Sequence, residues 1–248
     1  MPDQPIIIFC DNCDKGINLV AKETIYQCKE CQGQVCNSCF NTEFKICVAC
    51  AAPKIKARGD EAQRQREESA AQIRLKNSEP ILRGLKISGL PSKKADFLHG
   101  KLMARFGNSN PAVELCLASD YYSSSRLFRG KEAKTLDSAR FLILVGDSIY
   151  FGWGWPDRPE GDFECSGIAK NLDSGNSVVI YSVQAFDSKS PKSTAKVTLG
   201  MNIGSHFHPR YQTVTFEFSP SLSVSSKKYV NDQLQRIDFA WRRISSSK

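Results

Sequence analysis

The chain has 248 residues, of which 41% are hydrophobic and 24% charged, with a formal net charge of +8. That length supports one good-sized core plus a small module, and no apolar run approaches the roughly 20 residues a membrane-spanning helix needs. The apolar stretch Ile6 to Phe9 is too short for a signal-peptide core and lacks a basic flank, so a soluble, intracellular protein, cytoplasmic or nuclear, is expected.

Eight of the ten cysteines fall between positions 10 and 50: Cys10, Cys13, Cys28, Cys31, Cys36, Cys39, Cys47 and Cys50. They form four Cys-x-x-Cys pairs separated by fourteen, four and seven residues. Each pair can aim two sulfurs at one metal ion, and tetrahedral zinc needs two pairs, so four pairs predict two zinc ions. The four-residue gap between the second and third pairs is too short for both to chelate one ion comfortably. An interleaved arrangement follows, with Cys10, Cys13, Cys36 and Cys39 on one zinc and Cys28, Cys31, Cys47 and Cys50 on the other. Structural disulfides need an oxidising compartment, and ferredoxin-type clusters use other spacings. Cys116 and Cys165, outside the cluster, read as buried free thiols.

The overall charge hides an asymmetry. Residues 1–52 hold four lysines against six carboxylates, a net of −2, which leaves +10 for the rest. Two dications on eight thiolates would take the metal-loaded module to about −6.

The order of the pairs and the short central gap resemble the cross-braced treble-clef zinc modules of the RING, FYVE and ZZ families. Tyr26, two residues before Cys28, Val35 before Cys36 and Phe40 after Cys39 are most similar to a ZZ-type finger. The resemblance implies a small core of Tyr26, Val35 and Phe40 between the two metals. It departs from ZZ fingers in closing with Cys47 and Cys50 rather than histidines. FYVE modules bind phosphoinositide through a basic, histidine-containing stretch that this acidic module lacks, so that ligand is not expected. ZZ-like fingers take peptide N-termini or basic tails on acidic side chains near the first zinc. By that resemblance Asp11 and Asp14 are the candidates, with Asp3 and Glu43 behind them. The RING likeness implies ubiquitin ligase activity, with Ile46 and Val48 as a small apolar patch.

Residues 53–80 are charged and sparsely apolar, with Asp60, Arg64 and Glu68 at four-residue spacing. This reads as a solvated helical linker ending before Pro80.

From residue 81 onward the period shifts toward two. Strands are expected at 113–118, 141–145, 163–169, 178–186, 196–203 and 213–218, with a Gly146-Asp147-Ser148 turn leading into Ile149, Phe151, Trp153 and Trp155. Residues 92–106 predict a helix with Phe97, Leu98, Leu102 and Phe106 inward. Val230, Leu234, Ile237, Trp241 and Ile244 predict an amphipathic C-terminal helix docked on the sheet. The expected architecture over 81–248 is a mainly antiparallel β domain, a β-sandwich or curled sheet, with one or two helices.

Within it, Trp153 and Trp155 could line a ligand groove, and His206 and His208 could form part of a metal site. The basic residues form no stripe, so nucleic-acid binding is not supported, and no nucleophile–base motif is visible. The sequence therefore points to a zinc-binding adaptor built for protein–protein interaction. Its acidic finger recognises a basic tail or N-terminus, and its β-rich domain binds a second partner. The alternative is a RING-like ubiquitin ligase whose β domain selects substrate.

Overall fold

The computed structural model describes residues 6–126, 130–157, 162–170, 178–190, 192–202 and 211–246. It divides into two compact units, Met1–Ser69 and Ala70–Lys248. His206 and His208 lie outside the described residues.

The first unit has little regular structure, because short knuckles of chain turn around its cysteines. Three two-stranded ribbons follow one another: β1 (Ile7–Phe9) with β2 (Gly16–Asn18), β3 (Tyr26–Gln27) with β4 (Gln34–Val35), and β5 (Phe40–Asn41) with β6 (Ile46–Cys47). A 3-10 turn covers Asn37–Cys39. Ile17, Val35, Ile46 and Ala51 are buried, and the rings of Tyr26 and Phe40 stack at 4.4 Å. These side chains are too few to hold fifty residues together without a further source of free energy.

Helix α1 (Val48–Ile87) starts in this unit and continues into the next. From 52 to 76 every residue is exposed, as a charge-rich, weakly apolar helix should be. The helix does not end before Pro80. Proline there removes one helical N–H, but Asn77, Ile81, Gly84 and Leu85 are buried around it, and that packing carries the helix on to Ile87.

In the second unit, α2 (Ser92–Phe106) is followed by a single seven-stranded antiparallel sheet rather than two facing sheets. Its strands are β7 (Val113–Arg126), β8 (Gly130–Val145), β9 (Ser148–Gly154), β10 (Phe163–Gly167), β11 (Val178–Gln184), β12 (Lys196–Asn202) and β13 (Tyr211–Glu217). They lie in the order β10-β9-β8-β7-β13-β12-β11, two meanders joined where Glu217 pairs with Tyr121. The sheet is curled but not closed. Its two edges meet at one isolated bridge, Ile168 with Val178, where the Ala169 N–H donates to the Val178 carbonyl at 2.7 Å.

Alternation along the strands sends side chains to two cores. Leu115, Leu117, Leu142, Leu144, Phe151, Leu199 and Phe216 face α3 (Val224–Ser246), which contributes Val230, Leu234, Ile237 and Ala240. Cys116, Ala118, Phe141 and Ile143 face the other way, onto Ile81 and Leu85 of α1 and Leu98, Leu102 and Phe106 of α2. Each fully buried aliphatic side chain contributes about 1.5–3 kcal/mol, so helices on the two faces bury what a second sheet would otherwise cover. Lys94 of α2 pins the second face by donating to Asp120 at 2.8 Å and to the Leu136 carbonyl, both charges being largely buried.

Candidate metal centre

The first two cysteine pairs share one backbone design. The Cys10 N–H donates to the Lys15 carbonyl at 2.9 Å and the Asp14 N–H to the Cys10 carbonyl at 2.8 Å. The Cys28 N–H likewise donates to Gly33, and the Gln32 N–H to Cys28, each at 2.9 Å. Asp14 (φ 55°) and Gln32 (φ 64°) take the left-handed conformation that reverses the chain after the second sulfur. The third pair brackets the 3-10 turn, with the Cys39 N–H donating to the Cys36 carbonyl at 3.0 Å. The fourth straddles the start of α1, where the Cys50 N–H donates to Cys47 Sγ at 3.4 Å. The positive end of a helix dipole there favours thiolate.

These turns gather the eight sulfurs into two tetrads: Cys10, Cys13, Cys36 and Cys39, and Cys28, Cys31, Cys47 and Cys50. Within each, all ligand atoms lie within 4.8 Å of one another. The interleaved pairing derived from the spacing is the one observed. No cysteine is in a disulfide. Cys13 Sγ and Cys36 Sγ are 3.7 Å apart, and Cys31 Sγ and Cys47 Sγ 3.9 Å. Sulfurs bound to one dication at about 2.3 Å occupy tetrahedron corners ~3.8 Å apart, whereas a disulfide needs about 2.05 Å. The donor sets therefore fit two metal ions.

Electrostatics within each tetrad are uneven. Burial raises Cys28, but the N–H groups of Cys31, Cys47 and Glu30 outweigh it and hold the thiol at about 6. The Ser38 hydroxyl, working against burial, brings Cys36 to about 6 as well. The Cys47 sulfur, with burial, pushes Cys50 up to about 12. Against the Lys15 N–H, the Cys39 and Cys10 sulfurs push Cys13 to about 12. Each tetrad thus pairs a sulfur disposed to ionise with one disposed to keep its proton, and a bound cation would favour the ionised form of both. Ser38 was not singled out from the sequence, because a serine inside a Cys-x-x-Cys pair carries no signal until its Oγ is found 3.5 Å from Cys36 Sγ.

Searched against known families, curated proteins and solved structures, the chain matches none.

The other sequence-derived candidates fare differently. Asp11 is a brace between knuckles. Its Oδ2 accepts the Gln34 N–H at 2.6 Å while its own N–H donates to the Gln34 carbonyl at 2.9 Å. Asp14 is exposed, and its carboxylate has no hydrogen-bond or ion-pair partner among the described residues. Glu43 is taken up by Arg58 of α1, whose guanidinium also lies over the Phe44 ring, and Glu30 pairs with Lys54. Asp3 lies outside the described residues. Ile46 and Val48 do not form a joint patch, because Ile46 is 2% exposed inside the finger while Val48 is 39% exposed. A recess of about 410 Å³ beside the first tetrad is lined by Lys15, Lys22, Glu23, Tyr26, Cys36 and Ser38 among others, and neither Asp11 nor Asp14 lines it.

In the second unit, Trp153 is half-buried and packs on the larger core beside Phe151, with Trp155 edge-on at 6.0 Å. Gly152 and Gly154 flank it. A side chain at Gly152 would strike Phe141 and the Glu164 carbonyl, and one at Gly154 would strike Phe97 of α2. The glycines of this segment thus serve close packing on the face opposite Trp153. Trp153 Nε1 is buried without a hydrogen-bond partner among the described residues.

Proposed function

We propose that the chain is a zinc-binding adaptor. Two zinc ions, one per tetrad, supply the folding free energy the small core lacks, on the order of 10 kcal/mol each. All-sulfur tetrahedral sets with no open position suit structural zinc rather than hydrolytic metal chemistry. The metal-loaded finger recognises a basic tail or N-terminus on a protein partner, with Asp14 supplying the unpaired carboxylate and Asp11 its second oxygen. The β-rich unit binds a second partner, for which Trp153 and Trp155 are the candidate contacts.

The observation that carries this reading is the pair of interleaved four-cysteine sets. The burial of Ile46 removes half of the apolar patch on which the ligase alternative relied. Elemental analysis of the full chain should find two zinc ions per molecule. A peptide array should then show preference for free basic N-termini that weakens about tenfold in Asp14→Ala. Indifference to peptide charge, or sustained autoubiquitination with a panel of conjugating enzymes, would overturn the adaptor reading.

A further inference from the structure

The hairpin at the start of the finger is treated differently along its two margins. Ile7 pairs with Asn18, Ile8 with Ile17 and Phe9 with Gly16. The Leu19 N–H donates to the Ile6 carbonyl and the Cys10 N–H to the Lys15 carbonyl, so the hydrogen-bonded positions of β1 are 6, 8 and 10. The N–H and C=O groups of Ile7 and Phe9 therefore point away from β2. On the opposite margin, the outward groups of Asn18 are both satisfied: its N–H donates to Glu23 Oε2 at 2.8 Å and its carbonyl accepts the Glu23 N–H at 3.2 Å. No such cover is found on the β1 margin among the described residues. The side chains of Ile7 and Phe9, on one face two residues apart, are 50% and 64% exposed.

We infer that this margin pairs with the same margin of a second copy of the chain. Run antiparallel about a two-fold axis at Ile8, Ile7 of one copy faces Phe9 of the other and the reverse. Those are the two positions whose backbone groups point outward, so all four free donors and acceptors of each strand are satisfied at once. The same pairing sets two Ile7 and two Phe9 side chains into one apolar strip. Residues 6–9 are Ile-Ile-Ile-Phe and bring no charge to the seam, so neither of the usual guards of a free edge, an inward charge or a proline, lies within it. An unrelated strand could match the backbone, but it would not by necessity match the apolar strip as well. The seam is short, below the ~1,200 Å² of standard interfaces, so the dimer is weak and reversible. Both metal-loaded fingers carry the same negative sign, so added salt strengthens it.

Sedimentation velocity of the full-length, zinc-loaded protein, from about 5 to about 500 µM, tests this. A concentration-dependent monomer–dimer shift that grows with salt is expected. Ile7→Pro removes an outward N–H that β2 does not use, and Phe9→Lys sets charge into the strip. Each should weaken the dimer at least about tenfold while both zinc ions are retained. Two variants guard against one of them disturbing the hairpin. A wild-type protein that stays monomeric throughout, or a dimer indifferent to both substitutions, would overturn the inference.

Discussion

The Val113 N–H donates to Asn77 Oδ1 at 2.8 Å, tying the first residue of β7 to a fully buried amide on α1. The Nδ2 of the same amide donates to the carbonyls of Phe106, Gly107 and Ser109 at 3.0–3.1 Å. One side chain thus satisfies the chain where α2 ends and the sheet begins. Asn77→Leu should destabilise the second unit by roughly 3 kcal/mol or more, since several buried backbone groups lose their partner at once. Urea unfolding monitored by tryptophan fluorescence checks this, and a loss within about 0.5 kcal/mol would mean the amide is dispensable.

Gly84 in α1 reverses a familiar rule. Glycine to alanine inside a helix ordinarily stabilises by about 1 kcal/mol. Here a Cβ would press into the Cys116 carbonyl and its own Cβ, and a strand backbone buried in the sheet has little freedom to withdraw. Gly84→Ala should lower the melting temperature of the second unit. The exposed Gly59, with nothing nearby, should gain stability from the same change.

Much of this was legible in the chain. The cysteine spacing specified the tetrads, and strict alternation in β12 and β13 marked two half-buried antiparallel strands. The helices at 92–106 and 230–244 were visible because their apolar residues recur at three and four. What escaped depended on distant partners. Nothing local says that Glu217 will pair with Tyr121, joining the meanders into one sheet. Pro80 looked like a stop because the burial of Ile81 and Leu85 that overrides it is tertiary. Glu43 looked free because Arg58, fifteen residues on, meets it only once α1 has formed.

Acid should strip the metals. Metal binding displaces thiol protons, so its apparent affinity falls as pH falls. With Cys28 and Cys36 held at about 6 in the metal-free finger, protons compete increasingly for these two sulfurs as pH drops through that value. Metal release followed with a chromogenic chelator should increase as pH falls and steepen below about pH 6, where Cys28 and Cys36 also take up protons. Retention of both ions at about pH 4 would argue against thiolate ligation.

Thiol labelling should separate the ten cysteines into classes. Burial pushes Cys116 up to about 12, so it should resist alkylation at neutral pH until the second unit unfolds. Cys165, raised to about 11 by burial with Arg105 opposing, should also react slowly. Chelation removes the ions that hold the finger together, so its eight thiols should react as they would in an unfolded chain while these two lag behind. Mass spectrometry of the labelled chain gives the count.

The fourth cysteine pair ends one structure by beginning another. Since Cys50 occupies the opening turn of a forty-residue helix, an ion held by the second tetrad would also serve as that helix's anchor bolt. The stretch just past it is rich in charge and bare of packing, so withdrawing the ion should let the coil fray from its first turn onward. Occupancy at the tetrad would then be audible in the backbone well beyond the last sulfur.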